Sequence, residues 1–203
     1  MTDDSPHGGF PKFIRATPPP DYGRLIEALR TVQDLAVSTD LPDDQLALAA
    51  DQAEKLAATM APYVVPEGLS PAGRALELPG RGSLLMLPWT IEKYGAEGVR
   101  STGVFRRFHL GGNGAAHGGT LPLLFDDLFG LIQHAYGRPI SRTAFLHIDY
   151  RAVTPLNEQL VAEGHVTKVE GRKTFIEARL TKQDGTLVAE SNALMVQLLP
   201  GQQ

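Results

Sequence analysis

The sequence predicts an α+β protein in which an antiparallel sheet is set beside one apolar helix, with a helical extension ahead of both. Three observations lead there. An apolar run of helical length, residues 121–132, follows a glycine-rich stretch. Two strand-like segments precede that run and four follow it. The later strands are joined by short turns, and short turns require antiparallel neighbours.

Composition sets the outer bounds. With 203 residues, 42% hydrophobic and 21% charged, the chain can build one good core and a smaller appendage. Its net charge of −4 argues against a broad nucleic-acid surface. The absence of cysteine excludes disulfides, thiolate catalysis and Cys-based zinc sites. No apolar run approaches the roughly 18 residues of a membrane span, and the acidic start lacks a secretory pattern, so a cytoplasmic protein is expected.

Residues 1–82 read as a Pro-rich leader, a helical hairpin and a connector, and residues 83–203 as the main domain. Pro6, Pro11 and Pro18-Pro19-Pro20 mark residues 1–21 as an extended, poorly ordered leader. Leu25, Ile26, Leu29, Val32, Leu35 and Ala36 give helical spacing over 22–37. Leu46, Ala49, Ala50, Ala53, Leu56, Ala57 and Met60 do the same over 42–60, with Thr39 or Asp40 as cap. Residues 61–82, rich in Pro and Gly, read as the connector. Residues 83–92 form a first strand, bent or placed at an edge by Pro88. Residues 99–108 form a second. After the helix, which Gly137 and Pro139 end, strands are expected at 143–151, 159–169, 173–182 and 186–198. Thr174, Ile176, Ala178 and Leu180 share one face, and Asp184-Gly185 signals a two-residue hairpin.

The chemistry gathers around the glycine-rich stretch. Gly112-Asn113-Gly114-Ala115-Ala116-His117-Gly118-Gly119 runs into a helix apolar nearly all round, which reads as buried, with Asp126 and Asp127 at its centre. A buried carboxylate needs a reason. Either it is a catalytic acid or base, or it meets an arginine or backbone amides for structural reasons. Unpaired amides at a helix start can stabilise an oxyanion, and glycine lets a substrate approach closely.

His-Gly-Gly followed by an acid nine positions after the histidine resembles the hotdog-fold acyl-CoA thioesterases, most nearly the phenylacetate-pathway type, over residues 83–198. The resemblance implies a sheet wrapped around the helix and an acyl-CoA thioester as substrate, with no cofactor. It implies Asp126 as general base or nucleophile, with Asp127 as its neighbouring rival. It places the Gly118 amide at the thioester oxygen, beside His117 and Gly119, and Thr143 where some members carry a hydroxyl that helps hold the water. Tyr150, Arg151 and Pro155 match the family's strand after the helix. Many members have asparagine six residues before the histidine. Position 111 here is glycine, and Asn113 is the nearby candidate.

Nine helical residues rise about 13.5 Å and leave His117 and Asp126 on opposite faces. A two-fold dimer can bring Asp126 of one copy to Gly118 of the other. We therefore expect a homodimer with shared sites, a dimer of dimers remaining open. Arg142, Arg151, Arg172 and Lys173 flank or end strands and are candidates for the coenzyme A phosphates.

Other readings fit less well. The glycine stretch matches a dinucleotide fingerprint for five positions, but its sixth is His117 and no crossover helices follow. There is no nucleophile elbow and no phosphate loop. The histidines lack zinc spacing, so no metal is expected. His147 reads as solvent-facing or structurally bonded rather than catalytic, and Trp89 as a packing residue. A non-catalytic acyl-CoA or lipid-binding hotdog protein and a hotdog dehydratase are the alternatives. The helical hairpin is expected to pack on the sheet.

Overall fold

The structure, a computed structural model, describes residues 15–66 and 68–199. Most of the proline-rich leader lies outside these residues. The elements run α1 (Pro20–Ala36), α2 (Asp43–Met60), β1 (Thr90–Gly95), β2 (Gly98–Gly103), β3 (Leu110–Gly112), β4 (Ala115–Ala116), α3 (Thr120–Ala135), β5 (Ser141–Tyr150), β6 (Leu160–Glu170), β7 (Lys173–Lys182) and β8 (Leu187–Gln197).

Six strands form one antiparallel sheet in the order β1-β2-β6-β7-β8-β5, and α3 packs against all six. This is the expected α+β architecture. The period-2 pattern of β7 decides which face turns inward: Thr174, Ile176, Ala178 and Leu180 are all buried. They meet Leu121, Leu124, Phe125, Leu128, Phe129 and Ile132 of α3. Phe125 and Phe129 stack at 6.2 Å and are fully buried, each stabilising the fold by about 2–3 kcal/mol. Gly164 permits the close approach of β6, because a Cβ there would lie 2.9 Å from Ile132 Cδ1. The outer face is solvated, and its charges pair across strands. Arg100 and Arg179 both meet Glu163, and Arg151 meets Glu190 at 2.7 Å.

Several expectations require correction. The first strand starts at Thr90, not 83. The preceding residues are taken up by a tight turn, in which the Trp89 amide donates to the Leu87 carbonyl, and by contacts to α1. The second strand stops at Gly103, because Phe105 turns into the core and residues Arg107–His109 form a 3-10 turn. β5 does not lie beside β6. It pairs with β8 and forms an edge of the sheet. The Asp184-Gly185 turn has three loop residues rather than two: Gly185 (φ 88°) donates to the Lys182 carbonyl, and Lys182 donates to that of Thr186.

The extension differs most. Helix α1 begins two residues earlier than expected and packs on the short 3-10 turns Pro79–Gly82 and Arg107–His109 rather than on the sheet. Every residue of α2 is exposed, so the apolar stripe that predicted it faces outward. The connector is structured: Ala75 is fully buried, and Pro79–Gly82 holds three residues with positive φ, Gly80, Arg81 and Gly82. Trp89 is buried edge-on to Phe105 at 5.7 Å, as a packing residue should be. Exposed His147 lies 3.4 Å from Asp149. No helix among the described residues is long and apolar enough to cross a membrane.

Candidate active site

Helix α3 is not closed on every side. Asp126, Gly130 and His134 are exposed, one turn apart, and this corrects the expectation of a helix buried all round. Asp126 is therefore a carboxylate on an open helix face rather than an acid enclosed by the core. It accepts a hydrogen bond from Thr143 Oγ1 at 2.7 Å. That hydroxyl comes from β5, and Met195 Sδ of β8 lies 3.4 Å behind it.

The neighbouring Asp127 has a different environment. Arg81 donates to both of its oxygens, at 2.7 and 2.6 Å, in a fork-to-fork pair. Both side chains are largely shielded, at 13% and 24% exposure. Arg81 sits at φ 53°, an unusual backbone for a residue with a side chain. Its Nε also donates to the Gly73 carbonyl at 2.9 Å. The sequence left Asp126 and Asp127 as rivals. The geometry gives the structural pairing to Asp127 and leaves Asp126 bound only by a hydroxyl among the described residues. Arg81 escaped sequence analysis because it lies 46 residues from Asp127 inside the presumed connector.

Beside the two acids opens a cavity of about 390 Å³, lined also by Arg81, Tyr94, Gly130, His134, Arg142 and Thr143. Of the four basic residues named as phosphate candidates, the structure brings only Arg142 to this cavity. Arg151 is committed to Glu190 and Asp149, and Arg172 donates to the Gln197 carbonyl at 3.0 Å. Lys173 begins β7 and does not line the cavity.

The His117-Gly118-Gly119 step enters α3 as expected, with Gly119 as the residue ahead of the helix. The Gly119 amide donates to His117 Nδ1 at 3.0 Å, and Tyr150 Oη donates to the Gly118 carbonyl at 2.9 Å. The Gly118 amide itself is unpartnered among the described residues, as a donor to a ligand must be. The ribbon before it is a type I′ hairpin. Gly112 pairs with Ala115, and both turn residues, Asn113 and Gly114, have positive φ. Asn113 thus sits at a turn tip. The Asn-Gly pair is a sequence signal that could have located this turn. Gly111 also has a clear physical reason: a Cβ there would lie 2.6 Å from the His117 Cα, so the ribbon closes only with glycine.

The extension supports this ribbon. Asp34 of α1 accepts from Arg106 Nε at 2.6 Å and from the Phe108 amide at 2.9 Å. Arg106 also reaches Glu27 at 2.6 Å, and its own amide donates to His109 Nδ1 at 2.8 Å. The His109 carbonyl then accepts from the His117 amide at 2.7 Å. Burial holds the His109 imidazole below its usual pKa, against the pull of Asp34. No group of three His, Cys, Asp or Glu side chains suited to a metal ion occurs among the described residues.

Comparison with known proteins bears on the fold. Residues 113–189 match the family model described as the thioesterase superfamily. The acyl-coenzyme A thioesterase THEM4 of Rattus norvegicus is 35% identical over 94 residues, 45% of this chain and 40% of that protein. The Xenopus laevis protein of that name is 31% identical over 88 residues, 43% of this chain and 39% of its own length. The chain thus spans well under half of these relatives. A crystal structure of a thioesterase superfamily protein superposes with a TM-score of 0.78 at 25% identity, covering 90% of this chain and 98% of that one. A Streptococcus pneumoniae hypothetical thioesterase solved with coenzyme A gives a TM-score of 0.52 at 24% identity over 57% of this chain and 88% of that one. The chain has the hotdog fold, and over residues 113–189 it is similar to the thioesterase superfamily.

Proposed function

We propose that this chain is an acyl-CoA thioesterase, releasing a carboxylic acid and free coenzyme A. The observation that carries this reading is the separation of the two acids. Arg81 neutralises Asp127, while Asp126 faces a cavity with one hydroxyl donor aligned on it. The name borne by the THEM4 relatives supports it. The His-Gly-Gly step with an acid nine residues on is what favours the phenylacetate-pathway type within the superfamily.

In this reading Asp126 accepts a proton from water as the water oxygen bonds to the thioester carbon. Negative charge moves to the carbonyl oxygen and is met by the Gly118 amide. Collapse of the tetrahedral species breaks the C–S bond, and the proton held by Asp126 passes to the departing thiolate. Thr143 fixes which carboxylate oxygen faces the water.

Gly118 and Asp126 lie about 12 Å apart along a helix axis, so one chain cannot supply both groups to one carbonyl. We propose a homodimer in which each site takes Asp126 from one copy and Gly118 from the other. A well-folded monomer with full activity would refute that arrangement. The reaction is tested by release of free thiol from a panel of acyl-CoA esters. Asp126→Asn should lower turnover by at least ~10². Asp127→Asn should act mainly on stability, since it strips Arg81 of its partner. If the two variants exchanged these effects, the roles would have to be exchanged as well.

A further inference from the structure

Resting on the thioesterase reading, we propose that the site selects acyl groups whose far end carries an oxygen able to hydrogen-bond, rather than plain alkyl groups. Asp126, Gly130 and His134 stand on successive turns of α3, so the open face runs about 12 Å from the acid to the imidazole. Gly130 keeps the middle of that path clear, since a Cβ built there meets nothing within 4 Å. All three residues line the one cavity.

The far end of this path is polar. Tyr94 Oη, from β1, is hydrogen-bonded to His134 Nδ1. Burial holds the Tyr94 phenol above its usual pKa, against the nearby Arg81, so it stays a neutral donor. Arg138 closes the same end. It gives one guanidinium nitrogen to the Gly171 carbonyl at 2.7 Å, while its Nε is buried without a partner among the described residues. The Arg138 cation lines this end of the cavity, where an acceptor oxygen on a bound acyl group would meet a charge-assisted donor. A methyl terminus would instead desolvate the polar lining of this end without offering it a hydrogen bond, a basis for discrimination.

One chemistry, a distal acceptor oxygen, could come from a hydroxyl or from a carboxylate. The test measures kcat/KM for medium-chain acyl-CoA esters ending in hydroxyl or carboxylate, each against the methyl-terminated ester of the same length. At least one oxygen-ended ester should be favoured by roughly fivefold to tenfold, the effect of one or two hydrogen bonds. If only the carboxylate is favoured, the Arg138 cation is the reader; if the hydroxyl is favoured equally, the Tyr94–His134 pair is. Tyr94→Phe should reduce the preference for the hydroxyl ester. Independently, Gly130→Leu should lower kcat/KM for medium-chain esters relative to acetyl-CoA, because its side chain fills the path. Equal rates for oxygen-ended and methyl-ended esters would overturn this inference while leaving the thioesterase reading intact. Failure to release thiol from any ester would overturn both.

Discussion

Helices α1 and α2 follow one another in the chain and have nearly equal lengths, 17 and 18 residues, yet only α1 is joined to the sheet domain. Both carry an apolar stripe of helical period. What separates them is a set of polar residues on α1, among them Tyr22, whose hydroxyl donates to the Gly82 carbonyl at 2.8 Å. Glu27 and Asp34 meet Arg106, and Arg30 donates to the carbonyls of Pro79 and Ser83 at 2.9 and 2.8 Å. Helix α2 has no comparable set among the described residues, and its Leu46, Leu48 and Leu56 face outward. Apolar periodicity therefore predicts that a helix forms, while specific polar partners decide where it docks. The docked helix is also the one linked to the proposed oxyanion ribbon, through Arg106, His109 and His117.

The largest effect should come from breaking that link at its centre. Arg106 and Asp34 are both about one-fifth exposed, so Arg106→Ala leaves the Asp34 carboxylate poorly compensated at a shielded interface, while Glu27, more than half exposed, is left to solvent. A loss of about 2–4 kcal/mol is expected, close to that for breaking a buried pair. For a domain of this size that lowers the melting temperature by roughly 5–10 °C. Turnover should fall as well, because the His109 carbonyl that anchors His117 is no longer held. Unchanged kcat in a destabilised Arg106→Ala protein would separate the brace from catalysis. Arg30→Met should come next. It leaves two carbonyls without their donor and should lower stability by about 1–3 kcal/mol, measured by denaturant unfolding.

The same contrast explains what was legible in the sequence. The face of β7 and the apolar side of α3 repeat locally, so periodicity found both. Thr143 and Asp126 are 17 residues apart, and the family resemblance placed them together. Arg81 and Asp127 are 46 residues apart, and Asp34 and Arg106 are 72 apart. No periodicity relates such pairs, because each contact depends on how two separate elements dock. Tyr150 was noted only as part of a strand match. Its bond to the Gly118 carbonyl depends on β5 lying at the sheet edge, and the sequence had suggested a different neighbour for that strand. The exposure of Asp126 was misread because eight apolar residues of the helix outweighed the single open face carried by Gly130 and His134.

A smaller effect should appear on acidification. His109 must be neutral at Nδ1 to accept from the Arg106 amide. Burial lowers its pKa in the folded chain, and Asp34, Arg106 and Arg30 are the charged groups acting on it. The unfolded chain takes up this proton near its ordinary pKa of about 6.5, while the folded chain resists. The stabilising contribution is therefore complete above that range and is lost as pH falls from it toward the folded-state value. Melting temperature measured against pH should show this decline in the wild type and a flatter profile in His109→Gln. Parallel profiles would remove His109 from the brace.

The smallest effect is expected in α2. Substituting an exposed residue that touches nothing changes stability by no more than about 0.5 kcal/mol. Leu46 and Leu56 are 57% and 37% exposed, so Leu46→Ser and Leu56→Ser should leave the unfolding midpoint and turnover where they are. That expectation gives the comparison its sharpest test, because the stripe also includes Met60, 41% exposed. An apolar face of that extent is unfavourable in water unless something covers it. If either serine variant lowered stability by more than 1 kcal/mol in a concentration-dependent way, α2 would be docked after all, on a second copy of the chain. Polar contacts would then decide docking within one chain, and apolar burial would decide it between chains.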